Sequence, residues 1–453
     1  MKKNDLITIE ITDVMLNGSG VGHYDGLAVF VPATVTGDVI LAHVLKVNKN
    51  IAYAKINEII KPSEKRIENT CQSFLRCGGC AFRHIKYSEE LELKENAVRN
   101  NLKRIGGVEP EFEPITALKE TGYRNKCQYP VSKDKDGNIV IGFYSEHSHR
   151  VVDCTDCALQ PEEFSKIVKV FKSFLENKNI SIYDEKSGRG LVRHLYLRKA
   201  ETTGEIMVFV VVNGDKLPFY EELIEELKQL LKNSFCSFGL NINKNDTNVI
   251  LGDKNITLYG NEYITDSLCD VEFRISPLSF YQVNHDVAEL LYKKAAEYLE
   301  PNGKTILDLY CGAGTIGLTM AKKVKNLIGV EIIPEAIKDA KFNAKQNGIK
   351  NCEFICADAK KAAEDLKNRK IKPDAVIVDP PRKGCDETVI DIICNDFAPE
   401  RVVYVSCDSA TLARDCKIFK SFGYSAKKCA TFDMFPRTKH VESVVRLTRV
   451  FNN

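Results

Sequence analysis

No stretch of the chain approaches the roughly 20 consecutive apolar residues that a bilayer span requires. Charge of neither sign prevails: 64 Lys and Arg stand against 62 Asp and Glu, a net charge of +2. A near-neutral total does not advertise a polyanionic partner, so any nucleic acid must be met by local patches. Internal repeats and low-complexity tracts are also absent, which removes repeat arrays and long linkers from consideration. The first residues, MKKNDLITIEITD, carry two lysines but no continuous apolar stretch, so they do not read as a secretory signal. A cytoplasmic location without membrane association is expected. There the 16 cysteines stay as thiols, which directs attention to metals and nucleophiles rather than disulfides.

What is present is a balanced composition, 44% hydrophobic and 28% charged, which excludes a disordered or collagen-like chain. At about 150 residues per domain, the 453 residues suggest two to four domains. Residues 1–62 hold short alternating runs (ITIEITDV, LAVFVPA, DVILAHVLKV, IAYAKINEII) separated by turn signals. They predict a small closed barrel, either OB-like and RNA-binding or an SH3-sized barrel used only for packing. Residues 63–273 read as a central α+β domain that opens with cysteines and a helix near 84–105. From 274 to 453 the rhythm becomes β-α-β-α, which predicts an α/β, doubly wound parallel sheet with ligands at the strand C-termini.

Three patterns carry chemistry. In CQSFLRCGGC, Cys71, Cys77 and Cys80 can converge on a soft metal, and Cys154 or Cys157 can complete the set. A four-thiolate site suits zinc as well as an iron–sulfur cluster. Next, LDLYCGAGTIGL places Gly312-x-Gly314-x-x-Gly317 between a strand and a helix, and Glu331 ends the following strand, where a carboxylate can hold ribose hydroxyls. Nicotinamide and S-adenosylmethionine both fit that spacing. Asp379-Pro380-Pro381 at the end of the fourth strand favours a methyltransferase. Arg382 stands where amino-methylating enzymes keep an aromatic residue, which argues against methylation of an exocyclic amine.

The third pattern is a nucleophile. VVYVS runs directly into Cys407 at the sheet edge where substrate meets cofactor. Carbon-5 of a pyrimidine is too weak a nucleophile to accept a methyl group unaided. Thiolate addition at carbon-6 activates it, and a base must later remove the carbon-5 proton. Glu442, following the aromatic and basic loop DMFPRTKHVE, is the candidate base. The plain alternatives are a structural cysteine and a surface carboxylate. Cys385, just after DPPRKG, is read as a bystander. The segment RGLVRHLYLRK, basic and without an acid, is expected to meet phosphates.

Together SFYQVN (279–284), LDLYCGAGTIGL, DPPR, SCDSATLARD and DMFPRTKHVE resemble the RNA uridine-5-methyltransferase family along nearly the whole chain. The resemblance implies S-adenosylmethionine as methyl donor, Cys407 as nucleophile and Glu442 as base. It implies cofactor contacts from Gln282, Tyr310, Glu331 and Asp379. The first 62 residues resemble the family's TRAM domain, and the cysteine motif resembles its four-iron, four-sulfur site. That likeness selects Cys157 as the fourth ligand, with zinc the lesser alternative. Barrel and cluster together imply 23S ribosomal RNA as substrate and partner, with transfer RNA as the rival and a monomer as the state. Two other classes compete: a redox protein using the cluster and a nicotinamide, and a non-catalytic RNA-binding module.

Overall fold

Alternation in the first strand already dictates a barrel. In Leu6–Val14 the side chains of Ile7, Ile9 and Ile11 are buried while those between them are exposed, a period of two. The strand closes a five-stranded barrel with Ser19–Tyr24, Leu27–Pro32, Ile51–Lys61 and Val39–Val47, in that spatial order. Leu27–Pro32 pairs parallel to Ile51–Lys61, and Val39–Val47 returns antiparallel to Leu6–Val14. This is the OB-like arrangement expected from the sequence. The computed structural model describes residues 1–450.

The central sheet has seven strands. Its middle members, Val192–Lys199 and Ile206–Val212, are buried on both faces. Leu195, Leu197, Val208 and Val210 pack beneath the helices Glu162–Asn177 and Tyr220–Leu231. The alternate residues Tyr196, Met207 and Phe209 pack against the C-terminal unit. Burial on both sides overturns the reading of RGLVRHLYLRK as a phosphate-binding stripe. Arg198 is enclosed and donates to the carbonyls of Ser276 (2.7 Å) and Ser279 (2.9 Å). Arg193 donates to those of Asn243 (3.0 Å) and Asn245 (2.8 Å).

The C-terminal sheet runs Cys352–Cys356, Asn326–Glu331, Thr305–Leu309, Ala375–Val378, Arg401–Ser406, Glu442–Arg449, Tyr424–Phe432 and Glu111–Phe112. The first five strands are parallel. Glu442–Arg449 is antiparallel to both its neighbours, so the sheet is mixed rather than wholly parallel. Two apolar layers cover its faces, as a doubly wound fold requires.

The expected boundary at 274 divides this sheet. Helix Tyr87–Arg104 buries Val98 and Leu102 in the layer that holds Leu412 and Ala413 of helix Ser409–Ser421. Glu111–Phe112 then adds an edge strand beside Tyr424–Phe432. Apolar spacing announces that a helix has a buried face, but not which distant element covers it. No helix among the described residues is long and apolar enough to cross a membrane.

Candidate active site

The order of strands reverses between Thr305–Leu309 and Ala375–Val378, which opens a crevice at their C-terminal ends. The chain leaves Thr305–Leu309 through left-handed conformations at Tyr310 (φ 66°), Gly312 (55°) and Gly314 (78°). Gly317 then lets a short helix touch the sheet, since a Cβ there would lie 2.7 Å from Asp308 Oδ2. Instead the Gly317 N–H donates to that oxygen at 3.0 Å. Asp308 Oδ1 is buried without a partner. Burial, reinforced by the charge of Asp379, pushes the Asp308 carboxyl up to about 8. No motif marks Asp308 in advance, although LDLYCGAG places it just before the turn.

Glu331 pins the same loop. Its Oε2 accepts from Gly312 N–H (3.1 Å), and its Oε1 accepts from Ile332 (2.8 Å) and Ile333 (3.0 Å) N–H. A cavity of 580 Å³ lies against these residues and is lined by Gln282, Tyr310, Glu331, Asp379, Cys407 and Glu442. All six residues singled out for cofactor and chemistry therefore meet in one space. Phe280, Arg382, Phe435 and His440 share it; Arg382 Nη2 stands 3.4 Å from His440 Nε2.

Strand register brings Cys407 to Glu442. Ser406 faces Ser443 across the antiparallel pair, so the next positions outward are Cys407 and Glu442. Burial pushes the Cys407 thiol up to about 11, with Glu442 and Asp379 adding to the shift and Arg382 opposing it. Burial likewise lifts Glu442 to about 8, again with Asp379 adding and Arg382 opposing. Asp379 itself rises to about 7 through burial. A carboxyl poised near neutrality suits proton transfer.

The loop leading into Glu442 is bolted down from the far end of the chain. Lys94, with its side chain fully buried, donates to Glu90 Oε1 and Asp433 Oδ1, each at 2.7 Å, and to the Phe435 carbonyl at 3.2 Å. Tyr87 donates to Asp433 Oδ2 at 2.7 Å. Arg437 adopts a left-handed φ of 69°, donates to the carbonyls of Phe82 and Ile85, and pairs with Glu90 and Glu120. Its own carbonyl accepts from Ala81 and Phe82 N–H, immediately after Cys80.

Those contacts tie the loop to the cysteines. Cys71, Cys77, Cys80, Cys154 and Cys157 line a second cavity, of 290 Å³, together with Cys127, which stands alone in sequence and belongs to no motif. Both Cys154 and Cys157 reach it. Burial pushes the thiols of Cys80 and Cys127 up to about 12. Among the described residues no group of three or more His, Cys, Asp or Glu converges closely enough to hold a metal ion. The thiols are the right donors for a soft metal and share the lining of one cavity. Val283 lines both this cavity and the first, so the two share a wall at that residue.

Comparison with known proteins agrees with this geometry. Residues 86–450 match the family described as tRNA (Uracil-5-)-methyltransferase. An RNA methyltransferase of Clostridium tetani is 41% identical over 450 residues, covering 99% of this chain and 97% of its own. One of Clostridium acetobutylicum is 42% identical over 455 residues, covering 99% and 98%. The crystal structure of Pyrococcus abyssi tRNA (uracil-54, C5)-methyltransferase in complex with S-adenosyl-L-homocysteine is 30% identical, with a TM-score of 0.79 over 97% of this chain and 99% of that one. The chain belongs to the tRNA (Uracil-5-)-methyltransferase family and is an S-adenosylmethionine-dependent RNA (uracil-5-)-methyltransferase.

Proposed function

We propose that the protein methylates carbon-5 of a specific uridine in 23S ribosomal RNA. The observation that carries the chemistry is the register of Arg401–Ser406 against Glu442–Arg449, which delivers a thiol and a carboxyl to one cavity beside the glycine loop. The cavity suits S-adenosylmethionine: Glu331 offers a carboxylate to hydroxyl groups, and Gln282, Tyr310 and Asp379 add polar contacts around it. When bound, S-adenosylmethionine supplies an electrophilic methyl group. Cys407 releases its proton to solvent and its sulfur bonds to uracil carbon-6, which makes carbon-5 the nucleophile. Once carbon-5 carries the methyl group, Glu442 takes the proton from that carbon. The carbon-6–sulfur bond then breaks and the thiolate leaves, so no net electrons are exchanged.

The barrel supports a TRAM-like role in gripping RNA. The grouped thiols support a structural four-iron, four-sulfur cluster on Cys71, Cys77, Cys80 and Cys157, with zinc as the competing occupant. Barrel and thiols together favour ribosomal RNA. Transfer RNA is the second reading, favoured by the likeness to the Pyrococcus abyssi enzyme.

Mass-spectrometric mapping of 5-methyluridine in 23S and transfer RNA, from cells with and without the protein, decides the substrate. Loss from transfer RNA alone overturns the ribosomal assignment. Denaturing gels with labelled RNA decide the roles. Glu442→Gln should form a stable protein–RNA complex that requires S-adenosylmethionine, whereas Cys407→Ala should form none. Normal turnover by Glu442→Gln, or an adduct with Cys407→Ala, removes the mechanism.

A further inference from the structure

A third cavity, of 740 Å³, lies on the central sheet beyond the cysteines. Its walls include Tyr144, Tyr183 and His149, and its floor is formed by the buried pair Arg193 and His194. The Arg193 guanidinium stands 4.3 Å from the centre of the Tyr183 ring. It donates only to carbonyls, so its charge meets no carboxylate. His194 Nε2 lies 3.2 Å from the Tyr144 hydroxyl, while its Nδ1 is buried and has no partner.

At the rim cations outnumber carboxylates, four to three. Lys133, Lys135, Arg150 and Lys186 surround the opening and take part in no ion pair among the described residues. Three carboxylates stand beside them in the lining. Asp134 caps the Asp136–Asn138 turn, Asp184 accepts from Ser187 N–H, and Glu185 is 2.7 Å from His149 Nδ1. Free cations around aromatic faces are what a single-stranded nucleotide needs: a ring on which its base stacks and charges for its phosphates.

The cavity also adjoins the cysteine cavity. The Tyr144 carbonyl accepts from Gly78 N–H at 3.1 Å, and Phe143, the residue before it, lines the cysteine cavity. That cavity in turn shares Val283 with the catalytic one. Three cavities therefore follow one another. We propose that the outermost is a second nucleotide site, which captures an unpaired nucleotide of the RNA substrate at a distance from the uridine that is methylated. This rests on the RNA-methylating function proposed above.

The test uses the full-length protein with Lys133→Glu, Lys135→Glu and Lys186→Glu combined, all exposed positions, and separately Tyr183→Leu. Binding of the substrate RNA should weaken at least tenfold in the triple variant, with S-adenosylmethionine affinity unchanged. Its dependence on salt should flatten, the log–log slope falling by about 0.7 for each single-strand phosphate that is no longer neutralised. Ultraviolet cross-linking should join Tyr144 or Tyr183 to a nucleotide other than the methylated uridine, and Tyr183→Leu should reduce that product. Unchanged RNA affinity and slope in the triple variant would overturn the site and leave the cavity to a protein partner. Because the readout is binding, that failure is distinct from a failure to form 5-methyluridine.

Discussion

At the scale of the residue, the active site is a problem of crowded negative charge. Asp379, Glu442 and the Cys407 thiol share one enclosed space, and Arg382 is the cation that moderates all but Asp379. Cys407 must lose its proton to attack, and Glu442 must be ionised to accept one. Methylation should therefore fall as pH drops from about 11, where burial places the thiol, and more steeply below about 8, the value burial gives the carboxyl. The charge of Asp379 raises both Glu442 and Cys407. Removing it should lower both, and the acid limb of the rate profile for Asp379→Asn should move to lower pH even if the maximum rate falls. Single-turnover rates across the neutral range test this; an unmoved limb would mean that Asp379 exerts no field on the pair. Glu331 presents a different case. Replacing it with alanine should weaken S-adenosylmethionine binding roughly ten- to a hundredfold, the equivalent of one hydrogen bond to a charged group. Glutamine should rescue little, because its NH2 would turn a donor toward the N–H of Gly312 or of Ile332 and Ile333. Calorimetry with the cofactor checks both variants, and full affinity in Glu331→Ala would remove the residue from the site. Such residues are legible because strand ends and glycine turns are written in local sequence. Asp308 is not, since its meaning depends on a Gly317 amide and an unpartnered oxygen.

At the scale of the element, the helix Tyr87–Arg104 is the part least readable in advance. Its sequence, YSEELELKENAVRNNLKR, looks like a charged surface helix, yet Glu90 and Lys94 are fully buried. The pair is understandable only with Asp433 in place, and nothing local points there. Breaking a buried pair leaves its partners' charges stranded, at a cost of about 3–5 kcal/mol. Lys94→Met should therefore lower stability by about that amount and loosen the 433–441 loop, so that the methylation rate falls more than RNA affinity does. Denaturant titration and a kcat-against-KM comparison read the two effects; a loss below about 1 kcal/mol would show the network to be slack. Strand Tyr424–Phe432 is hard to read for a related reason. Tyr424 is buried, but residues 425–428, with Lys427 and Lys428, are partly or fully exposed, and only residues 429–432 are continuously enclosed. The barrel and the parallel strands are legible because periodicity alone, of two or in continuous apolar runs, defines them.

At the scale of the whole molecule, the cysteine cavity sits between the central sheet and the catalytic loop, bonded to that loop through Ala81, Phe82 and Arg437. A metal group held there would hold the two units together, and metal binding would be coupled to folding. Anaerobically purified protein should be brown, and Cys77→Ser should lose both colour and thermal stability. A colourless protein with one stoichiometric zinc would sink the iron assignment. The catalytic sheet, meanwhile, is assembled from both ends of the chain: Lys94 and its partner Asp433 are 339 positions apart. On a ribosome adding about 5–20 residues per second, the helix waits roughly 20–70 s for the strand hairpin that completes its surroundings. During that wait its inward face is partly ionic. Glu90 and Lys94, costly to bury alone, are readily hydrated while unmatched. A nascent chain so built exposes less sticky surface in the interval, and under the proposed mechanism the base Glu442 is absent until strand Glu442–Arg449 has been made.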